Sequence, residues 1–348
     1  MSAQLFSGPA ARPARIVRLA TPLIAASLAL TACGGGSSDD TSDKGAGSTS
    51  ASAPAKPESW PLTGVQAPLG TTTKLDHPAI VVKMDNTEAS APQLGLSKAD
   101  LVTEELVEGG LTRLAAFFYS TIPGTVGPVR SMRASDIGIV TPVKADVVTS
   151  GAAPVTISRI KKAGITFYGE GSKGFFRDNS RHAPYNLFSQ LTKTITLAKQ
   201  EPQTVPDYLS WGTESDFVGV EPVTQLAVPF SYSHTTQWKY DGSKYVNLNS
   251  NAKKGDEFTP DTILVLRVKI GDAGYLDPAG NPVPETKLVG TGKALVFHKG
   301  QLERATWTKS DLGSPIQLST EAGALKIPAG HTWIELVPDN GAALTMKP

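Results

Sequence analysis

LVTEELVEGGLTRLAAFFYS, residues 101–120, reads as a strand, a turn and a second strand. Leu101–Val107 and Arg113–Ser120 are rich in the branched and aromatic side chains that fit a pleated sheet. Gly109-Gly110 between them are both free to take positive φ, the signature of a tight hairpin. Alternation along the first strand puts Glu104 on the opposite face from Glu105 and on the same face as Glu108. Arg113 follows Glu108 across the turn, so the two are placed to pair.

Outward from this hairpin the pattern alternates. Residues 79–84, Ala-Ile-Val-Val-Lys-Met, form a short apolar strand that ends on Asp85-Asn86. After the break at Gly127-Pro128, Ser131 is placed to cap a helix running to about Val140. Residues 146–150 read as a buried strand, 154–163 as a helix and 165–168 as another strand. Leu187, Leu191, Ile195 and Leu197 give residues 186–199 a helical face. Strands alternating with helices predict an α/β sandwich over residues 59–205. The second half, residues 206–348, carries little helical pattern. Its strand segments are 230–232, 238–240, 245–248, 262–270, 294–298, 305–307 and 332–337, separated by turn residues such as Asp241-Gly242 and Asp277-Pro278. This predicts a mostly β domain, a sandwich or an open barrel. The expected fold class is therefore α+β in two domains.

The amino terminus has a different character. Arg12, Arg15 and Arg18 precede a twelve-residue apolar run, Leu19–Leu30, and no acidic residue occurs before Asp39. A membrane-crossing helix needs about 20 apolar residues, so residues 1–32 read as a secretory signal. Leu30-Thr31-Ala32-Cys33 resembles the bacterial lipobox, in which the cysteine becomes the first mature residue and carries diacylglycerol. Cys33 is the only cysteine of the chain, so no internal disulfide forms and no cysteine metal site can be built. Residues 33–58 are rich in Gly, Ser, Thr, Ala and Pro, with no aromatic residue, and read as a flexible linker. Such a coil spans roughly 25–30 Å on average. Loss of residues 1–32 leaves two more acidic than basic side chains, which gives no electrostatic drive toward nucleic acid. The expected partner is the membrane, through the lipid. No cofactor is expected and the protein partner is open.

Polar side chains that could carry chemistry crowd into the first half. Asp85, Asn86, Glu104, Glu108 and Asp136 supply carboxylates and an amide; Arg113, Arg130 and Arg133 supply guanidinium groups. Arg130 and Arg133 flank the expected helix start, where free amides and the dipole favour an anion. Arg177, Asp178, Arg181, His182 and Asn186 lie in a loop marked by Pro184. Each also has a structural reading: ion pair, turn residue or helix cap. The histidines at 77, 182, 234, 298 and 331 show no ligand spacing on a helix, and no nucleophile elbow or phosphate loop occurs.

Several motifs fall in a telling order: Pro61–Gly64, Lys83–Asn86, Gly95–Asp100, Glu108–Arg113, Gly127–Ser131 and Arg177–Asn186. In the second half come Gly292–Phe297, Ala305–Trp307 and Gly330–Ile334. Together they resemble the YerB family of bacterial lipoproteins, a domain of unknown function. The resemblance implies an exported protein with an α/β first part and a mostly β second part. It implies no activity. Two functions are expected from the residues: binding of an anionic or glycan ligand, or of a protein partner, at the cell envelope, and, second, glycosidase-like hydrolysis. Hydrolysis needs two carboxyl groups about 5–5.5 or 6.5–9.5 Å apart, drawn from Asp85, Glu104, Glu108 and Asp136.

Overall fold

The hairpin forms where the sequence places it. In the computed structural model, which describes residues 57–348, β1 (Ile80–Asp85), β2 (Leu101–Leu106) and β3 (Thr112–Phe118) pair antiparallel in the order β2-β3-β1. Gly109 and Gly110 turn the chain with φ of +70° and +72°. The three strands are buried on both faces, which explains apolar runs without polar alternation. The helix α1 (Asp136–Val140) leads to β4 (Asp146–Val148), and α2 (Pro154–Lys162) crosses over to β5 (Phe167–Tyr168). Both β4 and β5 join the sheet parallel. The hairpin of β6 (Phe175–Arg177) and β7 (Leu187–Ser189) precedes the single turn of α3 (Leu191–Thr194).

The remaining elements are strands. β8 (Trp211–Gly212), β9 (Glu221–Pro222), β10 (Gln225–Pro229), β11 (Thr235–Tyr240) and β12 (Tyr245–Asn247) come first. The long β13 (Thr262–Leu276) follows, then β14 (Pro282–Lys287), β15 (Gly290–His298), β16 (Gln301–Lys309), β17 (Gln317–Thr320) and β18 (Gly323–Leu325). β19 (Ile327–Pro328), β20 (Thr332–Pro338) and β21 (Thr345–Lys347) complete the chain. A single 13-stranded sheet runs β18-β17-β16-β15-β13-β20-β2-β3-β1-β4-β5, with β14 and β9 attached. The junction is β20, which lies parallel to both β13 and β2. A second sheet, β12-β11-β10-β21, covers one face. It contributes Leu226, Val228, Trp238 and Tyr245 to a core shared with Val82, Val102, Val265 and Trp333. On the other face, Ile139, Val140 and Ile160 from the helices pack on Val81, Phe117, Leu264 and Ile334.

The fold is thus α+β, mostly strands with few helices. Its second half does not close into a sandwich or barrel of its own; most of its strands extend the sheet begun in the first half. Three expected elements also differ. Ser131 caps no helix: α1 begins at Asp136, because Met132 N–H is held by Gly151 O and Thr149 Oγ1, both at 3.0 Å. Residues 186–199 are not one helix, since 187–189 are recruited as a strand by β6 and by the exchange of hydrogen bonds between Ser189 and Val126. Residues 230–232 form the turn between β10 and β11, closed by Phe230 N–H to His234 O at 3.0 Å.

Candidate functional site

Alternation along β2 sends its two glutamates into different surroundings. Glu105 faces the helices, where Lys83 Nζ lies 2.7 Å from Glu105 Oε1 and 2.7 Å from Asp136 Oδ1, all three side chains wholly buried. Burial alone would lower the Lys83 ammonium, but Asp136 and Glu105 hold it above its ordinary value. Asp136 Oδ2 also accepts the Arg133 N–H at 2.6 Å. The anion expected at the start of this helix is therefore Asp136 itself, a residue of the protein.

Glu108 lies past the end of β2, so strand parity no longer applies to it. It sits on the side of Arg133, not that of Glu104. Arg133 Nε donates to Glu108 Oε2 at 2.8 Å and its Nη2 to Oε1; Arg113 Nη2 approaches the same Oε1 at 3.3 Å. Burial would raise the Glu108 carboxyl, yet the Arg133 and Arg113 guanidinium groups keep it below its usual range. Burial, then the neighbouring Arg133, pushes Arg113 down to about 10. Arg130 lies 3.2 Å from Asp85 and over the Tyr185 ring at 5.3 Å. Asp85, Glu108 and Asp136 are each taken up by a cation, and Glu104 is on the opposite face. The four acids do not line one cleft as a hydrolytic pair requires.

The loop residues are also turned inward on the protein. Arg177 grips Glu170 at 2.6 and 2.7 Å and Asn186 Oδ1 at 2.6 Å. Arg181 reaches Asp178 at 3.3 Å and the carbonyls of Ser90 and Pro92. Asp178 Oδ1 accepts the Ser180 N–H and hydroxyl, a side-chain turn. Asn186 precedes a strand and caps no helix. His182 is exposed. None of these residues meets Glu104.

Glu104 builds the other constellation, together with Asn86 and with residues that the sequence did not mark. Its wholly buried carboxylate accepts from Asn86 Nδ2 at 2.9 Å and from Thr236 Oγ1 at 3.0 Å, and His234 Nε2 bonds to it at 2.7 Å. Directly across the sheet, in register, lies Glu335, whose Oε1 accepts the Trp238 indole N–H at 2.7 Å. Burial, then the charge of Glu104, pushes Glu335 well above the usual carboxylate range. The two neighbouring carboxyls are thus shifted in opposite directions, Glu335 up and Glu104 down. Glu335 Oε2 makes no hydrogen bond among the described residues. Glu104 is held down, against the effect of burial, by the hydrogen bond and charge of His234. His234 is in turn raised: burial opposes its charge, and the bond to Glu104 outweighs it.

His234 comes from the β10–β11 turn and opens onto a cleft of about 380 Å³. The cleft is lined by Asn86, Thr87, Glu88, Leu111, Ser233, His234, Asn249, Ser250 and Asn251. Only Leu111 is apolar. Tyr232, in the same turn, is 97% exposed. With Nε2 committed to Glu104, the imidazole is fixed in orientation, and its Nδ1 makes no hydrogen bond among the described residues. The sequence hint was modest: an aromatic residue and a histidine set among serines in a short turn. Among the described residues no cluster of His, Cys, Asp and Glu is arranged to hold a metal ion.

Two consecutive family profiles match the chain. The one described as "Protein of unknown function (DUF3048) N-terminal domain" covers residues 62–204, and its C-terminal counterpart covers 225–334. The chain belongs to the DUF3048 family. The Bacillus subtilis (strain 168) protein named "Putative lipoprotein YerB" is 28% identical over 307 residues, spanning 82% of this chain and 88% of its own length. The crystal structure of the Bacillus subtilis YerB protein superposes with a TM-score of 0.70 at 24% identity, covering 84% of this chain and all of the other. That likeness shows the shared fold. Within the DUF3048 frame, Asn86 and Glu104 belong to the N-terminal part and His234 and Trp238 to the C-terminal part. The cleft lies where the two meet.

Proposed function

We propose that this DUF3048 protein is an exported lipoprotein, tethered by Cys33, that binds a glycan in the cleft beside His234. The observation that carries the reading is the lining: three asparagines, two serines and an imidazole fixed by a buried carboxylate, with the exposed Tyr232 next in sequence to Ser233. Asn86 Nδ2 is used on Glu104 and Thr112, while Asn249 and Asn251 each donate one hydrogen to a backbone carbonyl and keep a second hydrogen and an oxygen lone pair for a ligand. Such amides donate and accept together, as vicinal sugar hydroxyls do. An exposed tyrosine offers an apolar face for a sugar ring at small entropic cost. Sites for apolar small molecules are lined mostly by apolar and aromatic side chains, and this one is not. Ion pairing of Asp85, Glu108 and Asp136 favours binding over hydrolysis.

Cell-wall glycan fragments are expected to raise the Tm of the full-length protein in detergent. His234→Ala and Asn251→Ala should each weaken their affinity at least tenfold, about 1.4 kcal/mol. Unchanged affinity in both variants would remove the site from the reading.

The anchor rests on the signal of residues 1–32, on Cys33 and on the name carried by the Bacillus relative. Cys33 and most of the linker lie outside the described residues, and among those described no helix is long and apolar enough to cross a membrane. Cys33→Ser should abolish metabolic labelling with a fatty acid and release the protein into the medium. A Cys33→Ser protein still bound to membranes would refute the tether.

A further inference from the structure

We infer, building on the glycan cleft proposed above, that the ligand is a polymer of sugar or polyol units joined by phosphodiesters, its phosphate held by Lys98, Lys253 and Lys254. These lysines surround a second cleft of about 510 Å³. One short segment, residues 249–256, lines both clefts. Asn249, Ser250 and Asn251 border the first, and Lys253, Lys254 and Asp256 border the second.

The segment is fixed at its middle. Gln93 N–H donates to Asn251 O and Lys253 N–H donates to Gln93 O, each at 2.8 Å, which pairs Ala252 with Gln93 as in a parallel sheet. Side chains two apart on an extended chain point to the same side. Ala252 packs inward against the core, so Asn251 and Lys253 both project outward. Their Cα atoms are at most about 7 Å apart. Asn251 Nδ2 donates to Asn86 O at 3.1 Å, which fixes the amide and leaves its Oδ1 to accept from a ligand hydroxyl. That acceptor and the Lys253 ammonium thus belong to neighbouring side chains on one fixed strip.

Positive charge is in excess at the cleft. None of the three lysines forms an ion pair among the described residues. Against their three ammonium groups the lining carries one carboxylate, Asp256, which accepts from the N–H groups of Gly95 and Ser97 and from the Ser97 hydroxyl, at 2.5, 3.3 and 2.5 Å, instead of reaching a lysine. Glu257, next in sequence, accepts the Gly255 N–H at 2.7 Å. Three free ammonium groups in a protein whose charges otherwise nearly balance make a local site for an anion. Ammonium groups bind phosphate as point charges, without the planar fork that a carboxylate prefers. A neutral glycan would use the first cleft alone. A chain that alternates hydroxylated units with phosphates uses both.

The test compares three probes on the full-length protein in detergent by calorimetric titration: a glycerol-phosphate oligomer, a neutral N-acetylglucosamine oligomer and inorganic phosphate. A fourth arm measures flotation with phosphatidylglycerol vesicles. The phosphate-bearing oligomer is expected to bind at least tenfold more tightly than inorganic phosphate, and to weaken as salt rises. Lys98→Gln/Lys253→Gln/Lys254→Gln should abolish that binding and its salt dependence while leaving the neutral oligomer unaffected; arginine at the same positions should restore it. Equal binding of the glycerol-phosphate oligomer by parent and glutamine variant would overturn the inference and leave the glycan cleft standing. Lysine-dependent binding to vesicles without binding to the oligomer would overturn it in favour of a membrane surface. Loss of the neutral oligomer on His234→Ala tests the underlying cleft separately.

Discussion

Lys83→Ala is expected to lower the Tm by roughly 10 °C. Breaking a buried ion pair from one side costs about 3–5 kcal/mol, and about 2–4 °C accompanies each kcal/mol in a body of this size. Lys83 is a wholly buried cation in the middle of β1. Its loss strands two carboxylates, Glu105 and Asp136, in a space where Glu105 Oε2 already lacks a partner. Neither can reach solvent without opening the sheet. The triple variant Lys83→Met/Glu105→Gln/Asp136→Asn removes the charges together and should regain most of the loss. Thermal melts at neutral pH decide the matter. A shift below about 2 °C in the single variant would mean that the ammonium is not coupled to folding.

Glu335→Gln is expected to flatten the pH dependence of stability and to leave the protein at least as stable as the parent at pH 7. The folded carboxyl lies well above its unfolded value of 4.5. Above that pH the fold holds a proton that the unfolded chain has released. The contribution of Glu335 is therefore complete below about pH 4.5 and declines as pH rises toward the folded value, by at most about 1.4 kcal/mol per pH unit. Glutamine keeps the acceptor for the Trp238 N–H and cannot ionise. Glu104 acts in the opposite sense, since its folded value is lowered and its contribution is lost on acidification. The parent-minus-variant difference isolates Glu335. Urea melts from pH 4.5 to 8 with parallel pH profiles would show that Glu335 is ionised in the fold.

Much of the frame was legible. The strands at 80–85, 101–106 and 112–118 and the helix at 154–162 stand close to where hydrophobic runs and Gly109-Gly110 put them, because local preference and tertiary pairing agree there. Residues 131–135 and 187–189 went astray because partners distant in sequence, Gly151 and β6, decide their conformation. The candidate site was legible only in part. Asn86 and Glu104 stood out as polar residues beside strands, but Glu335 comes opposite Glu104 only after β20 inserts beside β2. His234 acquires its meaning from a different long-range event, the packing of the second sheet that brings the β10–β11 turn to Glu104. Asp85, Arg130, Glu108 and Arg133 drew notice by crowding, and the crowding proved to be mutual neutralisation.

The placement of β20 bears on how the chain reaches this state. Its neighbours are β13 and β2, so a strand made near residue 101 waits for one made near residue 332. Until β20 has been made, β2 and β13 each present an open edge, and closing such distant pairs is slow. The sheet is therefore left unfinished until residues far apart in sequence have met. β20 works as its keystone, the strand that joins two halves neither of which is closed without it.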